Sequence, residues 1–132
     1  MDIRTVTESF AVSPQIKVSD VGAIADAGFS VIICNRPDEE EHGQPTVADI
    51  EAAARDAGLD FHHLPIASGM FGPQHVAQME SLLDSADGGV LAYCRSGTRS
   101  IMLWAFQEIR KRPRDEVLND AAAAGYDLSQ QL

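Results

Sequence analysis

The chain has 132 residues, 45% hydrophobic and 23% charged, with 20 acidic against 10 basic side chains, a length that suits one domain over 1–132 around one core. A formal net charge of −10 disfavours nucleic acid and anionic membranes, both of which need a basic stripe, and no apolar run reaches the roughly 18–20 residues that span a bilayer. With no secretory apolar stretch over Met1 to Phe10 and two cysteines that fit neither a disulfide scaffold nor a zinc site, the reading is a soluble cytoplasmic domain with no metal or cofactor, in which any anion site is built locally against the global charge.

In chain order, Phe10-Ala-Val12 predicts a first strand stopped by Ser13-Pro14. Ser19 or Asp20 caps a short helix with Val21, Ile24 and Ala25 on one face, ending at Gly28. Ser30 to Cys34 is a continuous apolar run between turn residues, the pattern of a buried strand. A polar loop from Asn35 to Pro45 carries Asp38-Glu39-Glu40-Glu41, read as a solvated segment. Thr46 caps an alanine-rich helix ending at Gly58, with Asp49 in the capping-box place. Leu59 to Ile66 predicts a strand, Pro73 to about Ser85 a helix, and Gly88-Gly89 a turn into the strand Val90 to Tyr93. Thr98 to about Lys111 and Arg114 to Ala124 complete the helices, separated by Pro113. This alternation predicts a three-layer α/β/α domain with a mostly parallel sheet of four or five strands. Its ligands would bind at the C-terminal strand ends, where Cys34 and Cys94 fall.

The chemistry concentrates in Tyr93-Cys94-Arg95-Ser96-Gly97-Thr98-Arg99-Ser100. A thiol between a buried strand and a helix start faces backbone N–H groups and the positive helix end, which together favour anions and the reactive thiolate. Arg95, Ser96, Gly97 and Thr98 form the anion-binding loop, and Gly97 supplies angles that a Cβ resists. Arg99 clamps an oxyanion in bidentate fashion, and Ser100 can donate its hydroxyl to the thiolate. A buried structural cysteine would explain neither the two arginines nor the clustered hydroxyls.

These residues carry a resemblance. Cys94 to Ser100 looks like the active loop of rhodanese-type sulfurtransferases, in which four residues separate Cys from a basic residue. Val31 to Arg36, Gln44-Pro45, the alanine-rich helix and Phe61-His62-His63-Leu64-Pro65-Ile66 resemble dual-specificity protein phosphatases, which use five. The combination, over nearly the whole chain, resembles the phosphatase-like domain of beta-lactamase-hydrolase-like proteins, also described as family sulfur transferases. The resemblance implies a protein tyrosine phosphatase-like fold and, in some members, fusion to a persulfide dioxygenase, of which no His-x-His-x-Asp-His run is seen here.

Two departures from the phosphatase pattern favour sulfur. The loop is one residue shorter, which suggests a narrower nest. Ala67-Ser68-Gly69-Met70 also stands where those phosphatases place a general-acid aspartate, a loss of ~10²–10⁴ in rate for a poor leaving group. The expected activity is sulfur transfer through a Cys94 persulfide, from thiosulfate or glutathione persulfide to a thiol or sulfite acceptor, with a persulfide dioxygenase as a possible partner. The alternatives are a tyrosine or dual-specificity phosphatase acting through a phosphocysteine, and a non-catalytic anion- or persulfide-sensing module. Secondary candidates are Cys34, which the phosphatase resemblance would allow to pair with Cys94, Asn35 and Arg36 at the strand end, and Ser68 on the pocket wall. Adjacent His62 and His63 face opposite ways in a strand, which argues against a two-His metal site.

Overall fold

A computed structural model describes residues 1–132. Its elements are β1 (Arg4–Thr5), β2 (Phe10–Ser13), a 3₁₀ turn (Val18–Asp20), α1 (Val21–Asp26), β3 (Phe29–Cys34), α2 (Val47–Asp56), β4 (Asp60–His63), α3 (Pro73–Ser85), β5 (Gly89–Tyr93), α4 (Thr98–Glu108) and α5 (Arg114–Ala123). The five strands form one sheet in the order β1-β2-β5-β3-β4, with β1 antiparallel to β2 and the other pairs parallel. The expected α/β architecture is therefore the one observed.

Side-chain alternation along the strands separates two apolar layers. Phe10, Val12, Val31, Ile33, Val90 and Ala92 pack with Ile101, Trp104 and Ala105 of α4 and Val117 and Ala121 of α5. Ala11, Ile32, Cys34, Leu91 and Tyr93 turn the other way, onto Val21 and Ile24 of α1 and Ile50 and Ala54 of α2. Phe10 stacks on Trp104 with ring centroids 5.8 Å apart and planes 9° from parallel. Full burial of an Ile or Leu contributes roughly 1.5–3 kcal/mol, so the hold of the fold is greatest in β2, β5 and β3.

Register brings the strand ends together. Ser13 pairs with Tyr93, Tyr93 with Cys34, and Cys34 with His63. One row thus crosses the sheet, and Cys94 leaves its middle.

Local signals explain most helix boundaries. Thr46 Oγ1 accepts from Asp49 N at 3.2 Å, Pro73 opens α3, and Asp115 and Glu116 occupy the first turn of α5, where carboxylates favour the dipole. Two strands differ from expectation. β1 has no apolar run to announce it and is set by pairing with β2. β4 ends at His63, not Ile66, because the chain then leaves regular pairing: Leu64 N donates to Cys34 O and Ile66 N to Asn35 O, at 2.9 and 3.1 Å, with Pro65 between them lacking an N–H. No helix is long and apolar enough to cross a membrane.

Candidate active site

The Cys94 loop bridges β5 and α4. Cys94 is 1% exposed, and its Sγ accepts from Gly97 N at 3.1 Å. Gly97 caps α4 at φ +92°, a left-handed conformation that turns the chain back over the sulfur. The N–H groups of Arg95, Ser96, Arg99 and Ser100 have no acceptor within the chain, as expected where a helix begins with unsatisfied donors. Those donors and the sulfur belong to one seven-residue segment at the sheet's C-terminal edge.

Neighbouring elements brace the loop. Gln15 N donates to Arg95 O at 3.2 Å, and the Tyr126 hydroxyl donates to Ser96 O at 2.8 Å. Burial, the largest influence, raises the Tyr126 pKa, so its hydroxyl keeps the proton that it donates. Ser96 Oγ donates to Thr98 Oγ1 at 2.9 Å, tying the loop's exposed rim.

Ser100 does not serve the thiol as expected. Its hydroxyl donates to Asn35 Oδ1 at 2.8 Å, a fully buried bond. Asn35 Nδ2 donates to Leu64 O at 3.0 Å, and Asn35 N to Tyr93 O at 2.8 Å. Asn35 therefore joins three strand ends, and Ser100 is its satisfier from α4.

The acidic loop is not merely solvated, and Arg36 is not a free source of positive field. Arg36 is 1% exposed. Its Nε donates to Glu40 Oε1 at 2.8 Å, Nη1 to Gln15 Oε1 at 2.9 Å and Nη2 to Glu41 Oε1 at 3.2 Å. Arg99 Nη1 donates to Glu40 Oε2 at 2.7 Å and to Ile66 O at 2.8 Å, while Nη2 donates to Glu40 Oε1 at 2.9 Å. Hydrogen bonds from Arg99 first, then Arg36, hold the Glu40 carboxyl at about 2, and Glu40 in turn raises Arg99. Arg95, with its side chain 68% exposed, pairs with Glu41 at 3.5 Å. Three arginines thus meet two glutamates, and the local surplus is one positive charge. No local pattern announces this, because Glu40 sits 59 residues before Arg99. Tyr126 was equally hidden, 30 residues beyond Ser96.

Cys34 and Cys94 are both free thiols. Cys34 Sγ donates to Arg36 O at 3.3 Å, and burial, the dominant influence, pushes the thiol up. Ser68 is exposed on the turn closed by Met70 N and Ala67 O at 2.9 Å, just beyond Ile66. His63 Nε2 lies 3.0 Å from Arg36 O, so it supports the strand end. A cleft of about 560 Å³ lined by Thr7, Phe10, Gly89, Trp104, Gln107 and Lys111 opens at the opposite end of the sheet and shares no residue with this site.

Comparison with known proteins accords with this arrangement. Residues 2–111 match the family described as Beta-lactamase hydrolase-like protein, phosphatase-like domain. A Beta-lactamase hydrolase-like protein of Xylella fastidiosa strain Temecula1 is 34% identical over 134 residues, covering 100% of this chain and 31% of the relative. The chain thus spans about a third of that relative's length. A crystal structure of a candidate phosphatase from Neisseria meningitidis Z2491 is 40% identical, with a TM-score of 0.87 over 97% of this chain and 92% of that one. TpbA of P. aeruginosa, solved in complex with pTyr, shares 13% identity and a TM-score of 0.71 over 97% and 76% of the two chains. At that identity the likeness is one of fold, and the fold is protein tyrosine phosphatase-like.

These findings overturn the expected sulfurtransferase and its rhodanese-type loop, since the matched family and the 40%-identical structure both point to phosphatases. Loop length misled for a physical reason. Arg99 lies in the first turn of α4 and hydrogen-bonds to Glu40 and Ile66 O, so contacts from outside the loop set where its guanidinium sits.

Proposed function

Because the chain belongs to the phosphatase-like domain family of Beta-lactamase hydrolase-like proteins, we propose that it hydrolyses phosphomonoesters with Cys94 as nucleophile. The observation that carries the reading is the Cys94 cradle: a sulfur 3.1 Å from Gly97 N, four N–H groups without an internal acceptor, and an arginine anchored beside them. Cys94 thiolate attacks phosphorus, forming an S–P bond as the P–O bond to the leaving group breaks. The loop N–H groups and Arg99 take the charge of the equatorial oxygens, where preorganised donors act most strongly. Water then cleaves the phosphocysteine, releasing inorganic phosphate and restoring the thiolate.

The proton for the leaving oxygen narrows the substrate class. Glu40, held at about 2, is ionised at neutral pH and cannot supply it, and the turn after β4 reads Ala67-Ser68-Gly69-Met70. Aryl phosphates, whose phenolate leaves with little protonation, suit this site better than alkyl phosphates, which lose ~10²–10⁴ without an acid.

The test is hydrolysis of an aryl phosphate by the purified chain, with rapid-quench mass spectrometry for the phosphocysteine. Turnover lost in Cys94→Ser, with the adduct on Cys94, is the expected result. A folded wild type that releases no phosphate, or a Cys94→Ser variant that turns over normally, refutes it.

A further inference from the structure

We infer that Tyr126 is a positioning residue whose hydroxyl aims the Gly97 N–H at the Cys94 sulfur through the single peptide unit joining Ser96 to Gly97; its effect on hydrolysis rests on the phosphatase reading above. A trans peptide is planar, with its C=O and N–H pointing in opposite directions, and here both ends are engaged. The Tyr126 hydroxyl donates to Ser96 O at 2.8 Å, and Gly97 N donates to Cys94 Sγ at 3.1 Å. Rotating the plane away from Tyr126 therefore takes the N–H off the sulfur. Donation to the carbonyl also polarises the peptide and strengthens its N–H as a donor. A peptide ending in glycine is weakly restrained by its own backbone, and the Tyr126 hydroxyl fills the place where a Cβ of Gly97 would stand.

The end of α5 delivers this hydroxyl. Gly125 is left-handed at φ +96°, and Gly125 N donates to Ala122 O while Tyr126 N donates to Ala121 O, both at 2.9 Å. That is the Schellman pattern, which turns the chain back on its helix. The returning ring is buried and has the Arg4 guanidinium 5.3 Å from its centroid. Arg4 Nη1 also donates to Ala124 O at 3.3 Å, so β1 holds the ring from behind while its hydroxyl reaches the Cys94 loop. Tyr126 lies beyond residues 2–111, the stretch that matches the family, and the hydroxyl therefore comes from outside the matched region.

A brace could instead serve stability alone, and the two roles separate on the thiol. The titratable groups that act on Cys94 are Arg99 of α4, Cys34 of β3 and Tyr126 itself. Burial raises the Tyr126 pKa, so the phenol is uncharged at neutral pH. Tyr126→Phe then removes a hydrogen bond without removing a charge, and it keeps the ring beneath Arg4. If Tyr126 positions the peptide, one donor to the thiolate is weakened, and the pH midpoint of Cys94 ionisation should rise by about 0.5–1. On the acid side of that midpoint, aryl phosphate kcat/KM should fall about 10-fold. Inhibition by inorganic phosphate should change less, because Arg99 and the other loop N–H groups stay in place. If Tyr126 only braces, stability falls and the midpoint does not move.

The experiment follows ultraviolet thiolate absorbance against pH in wild type and Tyr126→Phe, with a Cys94→Ser background subtracted and folding checked by circular dichroism. Aryl phosphate kcat and KM and phosphate inhibition are measured on the same samples. A second measurement uses labelled wild type alone: the Gly97 amide and Tyr126 Cζ signals should both titrate with the Cys94 midpoint, as two ends of one peptide. A raised midpoint with the loss in kcat/KM supports the positioning role. An unmoved midpoint in folded, active Tyr126→Phe overturns it and leaves the phosphatase reading intact, as does a Tyr126 Cζ signal that stays still while the Gly97 amide titrates. A wild type that releases no phosphate removes the phosphatase reading alone, and the midpoint, read without substrate, still decides what Tyr126 does.

Discussion

Replacing Gly97 by alanine tests how the Cys94 loop is held. Gly97 sits at φ +92°, and a Cβ there would collide with the Tyr126 hydroxyl, with Tyr126 Cζ at 3.1 Å and Ser13 O at 3.4 Å. The left-handed backbone costs a Cβ-bearing residue roughly 1–2 kcal/mol. Forcing Tyr126 aside adds about 1–3 kcal/mol of overpacking, including loss of a Tyr126–Ser96 hydrogen bond whose net value is about 1 kcal/mol. Gly97→Ala should therefore destabilise by about 2–5 kcal/mol in urea denaturation followed by Trp104 fluorescence. Tyr126→Phe alone should cost about 1 kcal/mol. In the Tyr126→Phe background the alanine no longer meets a hydroxyl, so its cost should fall toward the backbone component and the two losses should couple by at least about 1 kcal/mol. Aryl phosphate kcat/KM of Gly97→Ala, measured below its melting range, should drop about 100-fold as the cradle shifts. Losses that add within about 0.5 kcal/mol, or a Gly97→Ala cost below about 1 kcal/mol, would refute the steric argument.

Three further outcomes follow from particular groups. Ser100→Ala strands the buried Asn35 Oδ1 and should cost about 1–3 kcal/mol by thermal denaturation; a cost under about 0.5 kcal/mol would show that the bond between the strand ends and α4 contributes little. Glu40 is depressed from 4.5 to about 2, so its contribution to stability is complete above pH 4.5 and is lost as pH falls toward 2. With its side chain 22% exposed and partly screened, Glu40→Gln should be less stable than wild type by about 1 kcal/mol at pH 7, and a gap that does not narrow between pH 4.5 and 2 contradicts the ion-pair account. Cys34, 1% exposed and with its thiol pushed up by burial, should resist alkylation at pH 8 in the folded chain and react once urea unfolds it, as peptide mapping would read; rapid modification of Cys34 in the native state would count against its burial.

Much of the architecture was legible locally. The apolar runs Val31–Cys34 and Val90–Tyr93, the Thr46 cap, Pro73 and Pro113 are short-range signals, and each marks an element boundary or a buried strand in the structure. Cys94, Gly97 and Arg99 were equally readable, because a thiol, a glycine and an arginine between a strand and a helix start form one contiguous device. Whether that device handles sulfur or phosphorus was not legible. The number of residues in the loop does not by itself set where Arg99 sits, because Glu40 and Ile66 O hold it from outside the loop.

The contiguous sequence, then, determined the elements, the two-faced sheet and the thiol at its C-terminal edge, since hydrophobic periodicity and turn chemistry act over a few residues. Tertiary structure alone decided how Arg99 is aimed, what Ser100 serves, and what braces Ser96. Glu40, Asn35 and Tyr126 reach those residues from 59, 65 and 30 positions away. Strand order placed the Asn35 loop beside the Cys94 loop, and a pairing between charges that far apart in the chain has no local pattern to announce it.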